Sequence, residues 1–298
     1  MATHYDGSAS TVSTEQYFIP EIWADGIYKF FERKSVFRGL VDDFSALVRG
    51  KGYGDNINIP EIALASATAK SAGADVAYDA TATTTTQLSL NKHYYIGKLF
   101  EDIALIQSEA DLVAKYSKMM GEALARQFDA DIWAEVDGLN DSQALSADDT
   151  LTAAVFESAL AALGEADVPY MDGQCAMVVN PTLFADILNP SAGIAQYFIR
   201  NDAVGEGNRG LRSGMVGSLY GIDVYMSNTV STGGTASTIP GAIFHKSAAA
   251  VAVQQEVRVQ SEYSIDALGT KVVADLVYGV KLLDDSDNKR GIKFTNVS

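Results

Sequence analysis

An α+β chain is predicted by three observations. Leu112, Tyr116, Met119, Met120, Ala123, Leu124, Phe128, Ile132 and Val136 recur mostly at intervals of three or four, which describes one very long amphipathic helix. Cys175, Ala176, Met177, Val178 and Val179 form an unbroken apolar run between turn residues, with helical segments on either side, as in the buried strand of a small α/β unit. The last part of the chain alternates through Val251, Val253, Val257, Val259, Val272, Leu276, Tyr278, Val280 and Leu282, the period of antiparallel strands.

Taken in order, residues up to about Gln16 are small and polar and read as an extended arm that needs a neighbour to order it. Pro20 then opens a short helix whose face carries Ile22, Trp23, Ile27, Phe30 and Phe31. After the flexible Gly50 to Gly54, Asn56 to Ile59 alternates as a strand that Pro60 is expected to end. From Ala63 to Thr86 nearly every side chain is small, and neither helical nor strand spacing yields an apolar face. Gln87 to Ile96 alternates again and can pair back on the earlier strand, giving a long two-stranded projection with a small-residue tip. Such a projection has too little apolar surface to stand alone, and a long excursion of this kind marks a functional or partner-bound loop.

The long helix has an N-cap and acidic first turn in Ser108 to Asp111 and runs to Gly138, on the order of 40 Å at about 1.5 Å per residue. An acidic loop, Asp141 to Asp149, precedes a second helix marked by Val155, Phe156, Leu160 and Leu163. Asn180-Pro181 opens another short helix through Leu183, Phe184, Ile187 and Leu188. Glycines dominate Gly205 to Gly221, Ile222 to Ser227 is a strand, and Ser231 to Ser237 is a polar loop. The closing sheet is expected to end in a hairpin connection, Asp284 to Gly291, with Ile292 to Phe294 as its return strand.

Composition narrows the function. The 298 residues carry 22 Lys and Arg against 38 Asp and Glu, a formal net charge of −16, which argues against a protein that grips duplex phosphate. No secretory signal is visible at the start, no apolar run approaches the ~18 residues of a membrane span, and membrane partners are not expected. A single cysteine, Cys175, excludes an internal disulfide and fits a reducing cytoplasm; His4, His93 and His245 are too scattered for a dedicated metal site.

Several motifs invite chemistry and then fail on context. Gly205-Glu206-Gly207-Asn208-Arg209-Gly210 matches a dinucleotide-binding string, yet Gln196 to Asp202 breaks into charge where an apolar strand should lead in, and glycine follows instead of a helix. A mobile or interface loop is the better reading. Ser218 lacks the first glycine of a nucleophile elbow, since Val216 stands there. Asp285 to Arg290 imitates a calcium loop but has Arg290 at the turn glycine and no terminal glutamate. The acidic pairs Asp42-Asp43, Glu101-Asp102, Asp129 with Asp131, and Asp148-Asp149 read as solvated faces and caps. Cys175 reads as inert core, His93 and His245 as hydrogen-bonded strand residues, and Lys70 as a solvated lysine of the projecting loop. No catalytic, cofactor-binding or metal residue is expected, and no cofactor.

Arm, aromatic helix, β projection, very long helix, glycine-interrupted α/β unit and closing β region occur in an order that resembles the major capsid proteins of tailed bacteriophages, with the Hong Kong 97-type fold, over essentially the whole chain. The residues most similar are Gly214 to Ser227, a glycine-punctuated lead-in to the axial-domain strand, and the ending Tyr278 to Lys281 with Gly291 to Phe294. The resemblance implies an N-terminal arm and short helix over 1–49 and an E-loop over 50–98. It also implies a peripheral domain from 99–149 and 254–298 with a spine helix at 109–137, and an axial domain over 150–253. It implies self-assembly through pentamers and hexamers into an icosahedral virion shell around double-stranded DNA contacted weakly and nonspecifically, formed in the host cytoplasm. Because no long helical extension precedes the arm, a separate scaffolding protein is expected, together with a portal and, in some shells, a decoration protein. An encapsulin-type nanocompartment shares the same fold and remains open at this point. A nucleotide-binding enzyme resting on Gly205 to Gly210 is the remote alternative, and a tail or decoration protein leaves the long helix unexplained.

Overall fold

The structure, a computed structural model, describes residues 9–10, 35–48, 55–62, 67–73, 75–76, 78, 83–102, 112–146, 148–200, 215–230, 239–283 and 289–296. A five-stranded sheet has as its centre the long antiparallel hairpin of β12 (Ala249–Ser264) and β13 (Gly269–Leu282). β5 (Lys92–Glu101) pairs antiparallel with β13, and β1 (Ala9–Ser10) pairs parallel with Leu99 and Phe100 of β5. β2 (Asp42–Asp43) closes the other edge parallel to β12. Two residues of the polar arm are thus ordered by this same chain. The aromatic helix expected near Pro20 and the glycine string 205–210 lie outside the described residues.

Alternation sends Val272, Ala274, Leu276 and Tyr278 of β13 to one face. Across that face lies α2 (Leu112–Val136), whose 25 residues span about 37 Å. Met120, Leu124, Phe128, Ile132 and Val136 fall four apart and are all buried in the first core, with Phe37 against Trp133 at 5.6 Å. The helix forms as its periodicity dictates. Its expected N-cap, Ser108 to Asp111, is outside the described residues.

A seven-stranded mixed sheet has the order β6 (Asp141–Ala144), β14 (Gly291–Thr295), β11 (Gly241–His245), β7 (Cys175–Val179), β10 (Ile222–Met226), β9 (Met215–Leu219), β8 (Phe198–Arg200). β7 is central and buried at every residue, as its apolar run requires. The helices α3 (Ala153–Glu165) and α4 (Pro181–Leu188) add Phe156, Leu163, Leu183 and Ile187 to the second core. Asn180 caps α4 by accepting the Leu183 amide at 2.7 Å, with Pro181 in the first turn. β9 and β10 are joined by Tyr220 and Gly221, both at positive φ (49° and 84°), the geometry of a two-residue hairpin turn.

The projection is a separate ribbon, β3 (Asn56–Ile62) with β4 (Thr83–Ser89), paired from Asn56↔Ser89 to Ile62↔Thr83. Pro60 does not end β3, because alternate amides of a two-stranded ribbon face outward and a missing donor there breaks no pairing. Nor does Gln87 to Ile96 pair back as one strand. The chain breaks at Leu90-Asn91, β4 stays with β3, and β5 joins the five-stranded sheet because Tyr94 and Ile96 pack on the first core.

Three further expectations change. Asp141 to Ala144, expected as loop, is an edge strand parallel to β14. Phe198 to Arg200, expected to break into charge, is a strand paired with β9. β14 is not a return strand of β13: it lies between β11 and β6, where Ile292 and Phe294 fill the second core. Consequently 99–149 and 254–298 do not share a single sheet, since β6 and β14 sit with β7, while Ala249 to Val253 of the expected 150–253 unit begin the five-stranded sheet.

Candidate functional site

Among the described residues, the projecting ribbon is held at its root. Ile57 and Leu88 enter a small third core with Val48, Ala250, Ala252 and Leu283. Beyond Ile62, the described residues of the loop are exposed, including Lys70, Val76 (55%) and Tyr78 (92%). At the base, Ser89 Oγ donates to Asn56 Oδ1 at 2.6 Å and the Leu90 amide to Asp55 O at 2.7 Å. Gly279 of β13 passes so close that a Cβ there would stand 2.2 Å from the Ser89 carbonyl oxygen.

Beside that root, two acids of α2 reverse the expectation of solvated faces. Asp129 and Asp131 are 4% and 8% exposed. Asp131 accepts from Tyr278 Oη at 2.7 Å and Gln127 Nε2 at 3.1 Å, and pairs with Lys92 Nζ at 3.2 Å. Burial first, and then the bond to Asp131, push the Tyr278 phenol well above its ordinary value, so the hydroxyl stays a donor. Asp129 accepts from the Val36 amide at 3.0 Å and from Ser35 Oγ. The sequence carried a signal for Asp131: it falls three after Phe128 and seven after Leu124, on the helix face that packs.

Residues 35–48 form a strap across this region. Arg38 holds Glu256 through two hydrogen bonds, at 3.1 and 2.6 Å, and lies 3.8 Å from Asp43. Asp43 caps the Ser45 amide at 2.8 Å, opening α1 (Ser45–Val48). Ser45 Oγ accepts the Val253 amide at 2.8 Å, just where the β12–β13 register shifts. The irregularity that turns Glu256 toward Arg38 is therefore stabilised by the strap itself. Of the other acidic pairs, Asp102 accepts from Tyr263 Oη at 2.8 Å, and Asp149 sits in a turn at φ 53°.

The cavity beside β6 has a volume of about 730 Å³ and is lined by Asp141, Glu165, His245, Ser247, Lys289 and Arg290 among others. His245 Nδ1 lies 2.8 Å from Ser247 Oγ, and Nε2 lies 3.1 Å from Asp172 Oδ2. The order Ser, His, Asp is that of a hydrolytic triad, but Nδ1 also accepts the Ser247 amide at 3.2 Å. The imidazole caps the turn Lys246–Ala248 and braces it against Asp172, a structural role. Lys289 is paired with Asp141 at 2.7 Å.

Cys175 is buried in β7, and burial pushes its thiol up to about 12, so it stays protonated and inert at neutral pH. Ser218 lies within β9, paired with Asp223. His93 Nε2 stands 3.6 Å from Asp275 Oδ2 on the solvent side of the five-stranded sheet. Among the described residues no group of three or more His, Cys, Asp or Glu is placed to hold a metal ion, and no helix is long and apolar enough to cross a membrane.

Two sheets that share the first core through Val178, Ala242 and Phe244, a ribbon whose described residues are anchored at its root, and a strap laid over a long helix make up the subunit. The phage capsid protein family matches residues 92–293, more than half of the chain. The chain belongs to that family: it is a major capsid protein, a structural component of an icosahedral bacteriophage virion and not an enzyme. A solved structure from Mycobacterium phage Che8 is 26% identical, with 93% of this chain and 97% of that chain covered and a TM-score of 0.66. The capsid of Ralstonia phage GP4 is 14% identical, covering 92% and 93% with a TM-score of 0.71. The capsid of the cyanophage P-SCSP1u is 18% identical, covering 93% and 92% with a TM-score of 0.66. These last two show the shared fold alone. No curated protein sequence matches significantly.

Proposed function

We propose that the chain assembles through pentamers and hexamers into the shell of a tailed bacteriophage with double-stranded DNA, in the Hong Kong 97-type arrangement. In that reading 1–49 is the N-terminal arm with its short helix and 50–98 is the E-loop, whose base merges into the five-stranded sheet at Lys92. Residues 99–149 and 254–298 contribute the peripheral domain with the spine helix 109–137, and 150–253 the axial domain, with β6 and β14 lent to its sheet. The observation that carries the reading is the ribbon β3–β4, whose described residues bury apolar side chains at the root while Val76 and Tyr78 stand exposed beyond it. A ribbon of this kind gains its remaining contacts from another copy of the chain.

A net charge of −16 supports weak, nonspecific contact with packaged DNA, since there is little excess positive charge to condense on phosphate. A scaffolding protein, a portal and a decoration protein are the partners this reading adds, with assembly in the host cytoplasm. Negative-stain electron microscopy and sedimentation velocity of the purified chain, alone and co-expressed with its scaffolding partner, test it. Closed shells or rings of five and six subunits are expected; a monomer or dimer under every condition overturns it.

A further inference from the structure

The two buried carboxylates of α2 lie two residues apart, yet they hold two different segments of the chain. Asp129 accepts from Ser35 and from the Val36 amide at the start of the strap. Asp131 pairs with Lys92, three residues past the end of β4, where the ribbon turns into β5. We propose that this turn of α2 is a mechanical junction that couples the strap 35–48 to the root of the projecting ribbon, so that displacing either one loosens the other.

Three observations support a coupling beyond mere proximity. Tyr278 is common to both sides: its hydroxyl is bound by Asp131 at 2.7 Å, its ring meets Phe128 at 4.8 Å and Tyr94 at 6.0 Å, and both carboxylates act on its ionisation. The next residue, Gly279, lies against the Ser89 carbonyl at the base of the ribbon, so a shift of β13 at this point reaches β4 directly. On the far side of the strap, Val48 shares the third core with Ile57 and Leu88 of the ribbon. Electrostatics acts in the same sense. Lys92 Nζ stands 3.2 Å from Asp131, so withdrawing it leaves that buried side chain without its positive partner. A coupling of this kind is reciprocal by linkage.

Hydrogen exchange of the full-length chain, with every variant in the same state of assembly, tests the junction. Lys92→Met should speed exchange of the strap amides Leu40 and Phe44, which Lys92 does not touch, by about five-fold or more. Ser35→Ala should in turn speed the Leu90 amide at the ribbon root, while the Phe156 amide of α3, in the second core, keeps the wild-type rate. Should Lys92→Met fail to fold, Ser35→Ala decides alone. Exchange that rises only in the segment each substitution touches overturns the proposal, as does a uniform rise that includes α3.

Discussion

Asp275, 7% exposed on the face of β13 opposite α2, gathers hydrogen bonds from two neighbouring side chains, and its chemistry sets an acid limit. Arg258 reaches it through Nε at 3.0 Å and Nη2 at 2.9 Å, and Gln255 through Nε2 at 2.7 Å. The hydrogen bonds from Arg258, ahead of any other favourable contact, hold this carboxyl below its ordinary value. A carboxyl lowered in the folded state contributes stability that is present above the unfolded value, near about 3.9, and lost as pH falls through the folded one. Urea unfolding of the subunit between pH 6 and 2 should therefore show a midpoint that drops below about pH 4, and Asp275→Asn should make that drop shallower. An unchanged acid slope in the variant would sink this assignment. Such partners were hidden in the sequence, because Arg258 and Asp275 are brought opposite one another only by a register that shifts along β12. The same limit applies to Asp129, whose partners Ser35 and Val36 lie more than ninety residues away in the chain, whereas the place of Asp131 on the packing helix face could be read from its spacing to Leu124 and Phe128.

Among the elements, the ribbon root is the least forgiving. A methyl group at residue 279 would sit 2.2 Å from the Ser89 oxygen and 2.9 Å from its carbon, both backbone atoms that move only if β4 lifts off β13. Gly279→Ala should cost on the order of 1–3 kcal/mol in urea unfolding. The control is Gly97→Ala, whose Cβ meets only Val273 Cγ2 at an ordinary 3.7 Å and should stay within about 0.5 kcal/mol of wild type. Equal losses at the two sites would remove the special role of the root. Elements whose signal is local were legible from the sequence: α2 from its spacing, β7 from its apolar run, α4 from Asn180-Pro181. Partner choice was not. Ile292 and Phe294 alternate equally well beside β13 or β11, and only the volume to be filled in the second core decides between them.

At the scale of the whole molecule, the long β12–β13 hairpin ends in apolar residues that no described part of the chain covers. Ile265 is 77% exposed, Leu268 64% and Tyr263 51%, with Leu268 at φ 43° in the turn. On a subunit that functions within a shell, this tip is an assembly contact by the proposed reading. The pair Ile265→Ser and Leu268→Ser should leave subunit stability within about 0.5 kcal/mol while abolishing closed shells in sedimentation velocity and electron microscopy. Normal shells from the double variant would free the tip of that role. The order of the parts along the chain made the architecture readable even where single strands were misplaced, because arm, ribbon, long helix and α/β unit each differ in composition.

The position of β14 has a consequence for synthesis. β14 is not at a margin: it inserts between β11 and β6, which precede it in the chain, and supplies Ile292 and Phe294 to the second core. A chain released from the ribosome before Gly291 would leave β6 without its hydrogen-bonding neighbour and two large voids behind it. Since a shell is a count of identical copies, a sheet that closes only once residues 291–295 have been made keeps polypeptides truncated before them out of the lattice before any contact between subunits is made.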